Sequence, residues 1–149
     1  MYILTFFNFK RVLFLLAFLG SANLFAIEYC DQSELYSHMK DIGSELKSLS
    51  FEIKRGKLDK VEGRVATINQ LLEKSKQETP FLFSEKELEG DELMQKQAQY
   101  QKGISDLIVI FQKLDEVAKR GDVAQVKTVF SDISKSRKIG HRAFKAQCQ

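Results

Sequence analysis

Proline is almost absent from this chain: Pro80 is the only one in 149 residues. Because proline interrupts helices, long helices are permitted on either side of it. Strand alternation is missing, as is a glycine-rich phosphate loop, so nothing supports a sheet or a nucleotide-binding turn. Lysine and arginine are interspersed with glutamate and aspartate rather than clustered, which argues against a nucleic-acid partner. No helical stripe carries an inward Glu-x-x-His pair, so a carboxylate-bridged di-iron centre is disfavoured.

Long apolar runs are also lacking. The longest, Val12 to Leu19, spans about eight residues and is too short to cross a bilayer. It follows Lys10 and Arg11 and precedes the small residues Gly20, Ser21 and Ala22, with a cleavage point after Ala26. This is the pattern of a secretory signal peptide over residues 1–26, leaving residues 27–149 as a single exported domain without stable membrane insertion. Its removal takes away two basic residues and no acidic one, so the formal charge of +3 falls to +1. Cys30 follows Ile27-Glu28-Tyr29, which is unlike a lipoprotein site. Cys30 and Cys148 stand at opposite ends of the mature chain.

What is abundant is helical periodicity. Asp31-x-x-Glu34 is a capping box ahead of a stripe formed by Leu35, Met39, Ile42, Leu46, Leu49 and Ile53, ended by Gly56. A second stripe holds Leu58, Val61, Val65, Ile68 and Leu72. Gly43 and Gly63 weaken these two helices unless they admit a close neighbour. The interruption, residues 77–90, contains Pro80, the apolar run Phe81-Leu82-Phe83, and a short helical turn opened by Ser84-x-x-Glu87. A third helix from about Asp91 to Arg120 carries Tyr100, Ile104, Leu107, Phe111, Leu114 and Ala118. Gly121 ends it, and Asp122-x-x-Gln125 caps a fourth with Val123, Val126, Phe130 and Ile133. Connections of short, longer and short length predict an all-α, antiparallel up-down-up-down four-helix bundle.

In that topology the start of the first helix and the end of the fourth share one end. Met39 lies roughly 12 Å into the first helix and His141 roughly 10 Å from the end of the fourth, so they are level. The Phe81–Phe83 segment closes the same end, and Cys30 and Cys148 fall there, within plausible range for a disulfide. Arg137 and His141 continue the apolar stripe of the fourth helix, where bundle packing wants apolar side chains. Buried together they ask for an anionic, metal-bearing ligand. A thioether and an imidazole at one depth are a suitable axial pair for haem iron, with Arg137 placed to meet a propionate. The same residues also admit a plainer reading. In it Met39 is core, His141 is satisfied by the helix dipole and solvent, and Arg137 reaches out from the edge of the stripe. His38, next to Met39, is expected on another side of its helix, at the surface.

The mature chain resembles the soluble cytochrome b562 family over nearly all of residues 31–147. The resemblance rests on Met39 in LYSHMKDIGSEL, His141 in SRKIGHRAFK, Arg137 one turn earlier, Pro80 opening the middle loop, and the spacing Gly103–Gly121–His141. It departs where Ile104 and Tyr100 stand for the family's aromatics, where Lys145 stands for an arginine, and in its flanking cysteines. The related cytochromes c prime attach haem through Cys-x-x-Cys-His, whereas Arg137 and Gly140 of RKIGH occupy those cysteine positions and exclude that chemistry. The resemblance implies a periplasmic, non-enzymatic electron carrier. It would hold one non-covalent haem b by Met39 and His141 and serve an unidentified redox partner. Two alternatives use the same scaffold: a haem-less helical interaction protein, and a haem-based gas or redox sensor in which Met39 is displaced.

Overall fold

The computed structural model describes residues 32–147. The expected leader at residues 1–26, Cys30, Asp31 and Cys148 therefore lie outside the described residues. The ordered elements are α1 (Glu34–Lys54), a 3-10 turn at Leu58–Lys60, α2 (Val61–Gln77), a short α3 (Phe81–Glu85), α4 (Gly90–Lys119) and α5 (Val123–Phe144). The four long helices form the up-down bundle, and no strand occurs among the described residues.

Local chemistry sets the ends. At α1 the cap is Ser33, whose hydroxyl accepts from the Tyr36 amide at 3.1 Å, two residues after the expected Asp31. At its other end Gly56 has φ +70, its amide donates to the Ile53 carbonyl and the Lys57 amide donates to that of Glu52. This paired closure needs a left-handed residue, which glycine adopts without Cβ strain. Gly121 repeats it at the end of α4 with φ +72, and Asp122 then caps α5 by accepting from the Gln125 amide at 3.0 Å. These two tight turns force α1 against α2 and α4 against α5. The second helix starts later than its apolar stripe, because Leu58 is spent in the 3-10 turn and only half-buried. The turn in the middle loop begins at Phe81 with Pro80 before it, not at Ser84, since proline suits a helix start where no amide partner is required.

The core follows the stripes. Ile42, Leu46, Leu49 and Ile53 of α1 meet Val61, Val65, Ile68 and Leu72 of α2, with Ile104, Ile108, Phe111, Leu114 and Val117 of α4 and Val126, Val129 and Ile133 of α5. Three helix pairs pack along their length: α1 with α2, α2 with α4, and α4 with α5. The fourth side is different. α1 and α5 approach each other over only a short stretch, so the bundle has one loosely closed seam.

Ion pairs follow the same division. Arg64 on α2 binds Glu45 at 2.8 Å and Glu52 at 3.2 Å on α1. Lys119 on α4 binds Glu62 on α2 at 2.9 Å. Among the described residues no ion pair crosses from α1 to α5.

Candidate functional site

The loop end of the bundle is built from α4 outward. Three of its side chains donate to carbonyls of the last turn of α2 and its cap residue, which lack the i+4 amide of a continuing helix. The Tyr100 hydroxyl donates to the Ser75 carbonyl at 2.7 Å, Gln97 to that of Glu78 at 3.0 Å, and Gln101 to that of Lys76 at 3.4 Å. Burial, then the nearby Glu78 carboxylate, raises the Tyr100 phenol well above its ordinary pKa, so it stays a donor. Pinned in this way, Tyr100 presents its ring edge-on to Phe144 of α5, with centroids 5.5 Å apart at 74°. Phe83 of α3 meets the same Phe144 ring at 6.2 Å and 77°. The Phe81–Phe83 segment thus closes this end, with Phe83 buried and Phe81 and Leu82 half-buried. A Cβ at Gly103 would meet Phe144 at 3.9 Å, an ordinary van der Waals contact, so the glycine is not demanded by space at this wall.

The seam opens beside this aromatic wall. A groove of about 400 Å³ runs between α1 and α5, lined by Gly43, Leu46, Lys47, Ser50, Phe130, Ile133, Ser134 and Arg137. Gly43 is one turn past Met39, and Arg137 is one turn before His141, so by helical spacing the two candidate ligands stand just beyond its outer end. Met39 is half-buried and packs on the core, as expected for the edge of the α1 stripe. A depression of similar size between α2 and α4, lined by Asn69, Gln70, Glu73, Lys74, Ile108 and Gln112, offers neither thioether nor imidazole.

One expectation needs correcting. Arg137 and His141 are not buried knobs, because both residues are exposed. Their stripe does continue the apolar one, but it faces the seam, where no opposing helix closes over it. The His141 ring is still partly withdrawn from water. That desolvation, followed by the positive charges of Arg137 and Lys145, lowers its pKa and favours the neutral imidazole, the form that can ligate a metal.

His38 also differs. Its side chain is only 15% exposed, it lies 3.9 Å from Glu34, and its Nδ1 is buried without a hydrogen-bond partner. His38 is therefore half-buried where a surface position was expected, but the expected direction stands. His38 is seven residues before Glu45 and fourteen before Glu52, both bonded to Arg64 of α2, so it shares the α2-facing edge and not the seam. Sequence reasoning missed this burial because a histidine beside a stripe residue carries no periodic signal.

The donor chemistry fits a flat, iron-bearing macrocycle. It offers a thioether and a neutral-leaning imidazole on two helices, an aromatic wall, an open apolar-floored seam and an arginine on its rim. Comparison with known families decides what this means: the family model described as Cytochrome b562 matches residues 34–145. The chain belongs to the cytochrome b562 family. The match spans all the long helices, from the start of α1 to the end of α5. Comparison with curated proteins and with solved structures returns no match. As a cytochrome b562 the protein binds one haem b non-covalently, carries electrons one at a time in the periplasm, and is not an enzyme. No helix among the described residues is long and apolar enough to cross a membrane.

Proposed function

We propose that this cytochrome b562 holds its haem in the α1–α5 seam, with Met39 and His141 as axial ligands and Arg137 against a propionate. The observation that supports it is the seam itself. Among the neighbouring long helices, the pair carrying the two candidate ligands packs over the shortest stretch, and the groove left between them ends beside those ligands. When bound, the haem supplies an iron that changes by one electron between ferric and ferrous.

The chain's residues do the rest. Met39 offers a neutral sulfur that favours the reduced metal, and His141 offers a nitrogen lone pair kept free by its lowered pKa. With Met39 and His141 both held to the iron, the chain would leave it no open site for a substrate or a diatomic ligand. Leu46, Phe130 and Ile133 line the groove with apolar surface, Phe144 lies beyond it at the bundle end, and Arg137 offsets the desolvation of a carboxylate by a charge-assisted hydrogen bond. Residues 1–26 act as the leader that delivers the chain to the periplasm.

The test is spectroscopic. The mature protein loaded with hemin is expected to show sharp reduced α and β bands of a low-spin b-type haem. Met39→Ala should retain haem but turn it high-spin, while His141→Ala should lower haem affinity at least ~10-fold, the usual order for losing an interaction at a metal ligand. Unchanged bands in both variants would exclude this ligand pair.

A further inference from the structure

Charge is sorted across the bundle in a way that haem binding does not require. The acids of α1, Glu34, Asp41, Glu45 and Glu52, recur at helical spacing on one edge, and Arg64 of α2 marks that edge through Glu45 and Glu52. The lysines Lys40, Lys47 and Lys54 recur every seven residues on the opposite edge, and Lys47 lines the seam groove. Across the seam, α5 repeats the pattern: Lys135, Lys138, Arg142 and Lys145 follow one another at three, four and three residues, next to the groove residues Ser134 and Arg137. The only acid within α5, Asp132, is bonded to Lys135 at 3.0 Å. Lys40, Lys47, Arg137, Lys138, Arg142 and Lys145 are exposed and form no ion pair among the described residues.

Both rims of the seam are therefore basic, while the chain without its leader is close to neutral at +1, down from +3. Helix dipoles explain little of this. They favour cations only in the last turn, which covers His141 and Arg142 but not Lys40, Lys47 or Lys138. Haem brings two carboxylates, fewer than the free cations present. Interfaces between electron carriers are small and governed by complementary charge, which speeds encounter more than it tightens binding.

We propose that the basic rims of the α1–α5 seam are the docking surface for an acidic redox protein, which exchanges its electron at the haem edge held between them. This rests on the haem placement proposed above and names the kind of partner that site serves. The acidic face of the partner meets Lys40, Lys138 and Arg142, and one electron passes between the two carriers with no bond made or broken.

The experiment uses the haem-loaded mature chain in stopped flow. Reduced plant-type ferredoxin serves as an acidic protein donor, and tris(phenanthroline)cobalt(III) as a cationic oxidant. With ferredoxin, the rate should fall at least ~10-fold from low to high salt, the range that steered encounters show. Lys138→Glu/Arg142→Glu should lower the low-salt rate by a similar factor and raise the rate with the cobalt reagent, without changing the haem bands. Lys40→Glu should act in the same direction from the other rim, and Lys113→Glu on α4 should do nothing. Salt-insensitive rates, or rim variants that react like the parent with haem bands intact, would overturn the docking surface and leave the haem site standing. A salt-sensitive dimer formed through the acidic 85–92 segment of a second copy would also overturn it. A parent chain that takes up no haem would overturn both readings.

Discussion

Tyr100 shows how much one side chain ties together. Its hydroxyl closes the end of α2 through Ser75, and its ring supports Phe144 at the site. Tyr100→Phe keeps the ring and removes the hydrogen bond. The Ser75 carbonyl retains a second donor, the Glu78 amide at 3.1 Å, so the expected cost at neutral pH is only about 1 kcal/mol. The pH dependence is more specific. Burial and Glu78 raise the folded-state pKa of Tyr100, so its contribution is fully present below the unfolded value of about 10 and is lost as pH rises above it. Urea unfolding of the haem-free protein between pH 7 and 11 should show stability falling above about pH 10. The Phe variant should fall less steeply, so that the two curves converge.

At the scale of the helix, Gly43 and Gly63 look alike in sequence and differ in place. Both are helical, and a Cβ at either would meet nothing within 4 Å. Neither glycine therefore serves a close protein neighbour, and alanine at either should stabilise the haem-free chain by roughly 0.5–1 kcal/mol through the unfolded state and helix propensity. Gly43 alone lines the seam groove. Gly43→Ala should thus raise the thermal midpoint of the apo protein and weaken hemin binding in a spectral titration, whereas Gly63→Ala should only raise the midpoint. Equal haem affinity in the two variants would place the macrocycle elsewhere.

For the whole molecule, a haem held on the loosely closed side of the bundle, as proposed, would be part of the fold. Three sides are sealed by apolar packing, and two of them also by ion pairs, but the α1–α5 side has little of its own. A ligand that binds only the folded chain stabilises it by about 2.7 kcal/mol at a hundred times its dissociation constant. Placed in the seam, it should act most on the two helices it joins. Amide hydrogen exchange should therefore show haem raising protection over residues 34–43 and 137–144 far more than in α2, which is already packed against α1 and α4. Uniform protection, or none, would contradict a seam site.

Much of this was legible in residue order. The apolar stripes of all four helices, Gly56 and Gly121 as turns, Asp122 as a cap, and the weak helix stop around Pro80 each depend on neighbours a few positions away. That Met39 and His141 share one depth was legible too, since helix rise converts residue counts into height. Other features were not. Ser33 rather than Asp31 capping α1, the late start of α2 and the half-buried His38 depend on competition among nearby groups or on a second helix. The exposure of Arg137 and His141 was hidden for a stronger reason: a stripe specifies which way a side chain points, and says nothing of whether another helix covers it. The sequence alone determined a four-helix bundle with a thioether, an imidazole and an arginine at one end. Only the tertiary structure decided that three helix pairs close and the fourth stays open, because closure depends on how the facing surfaces fit together.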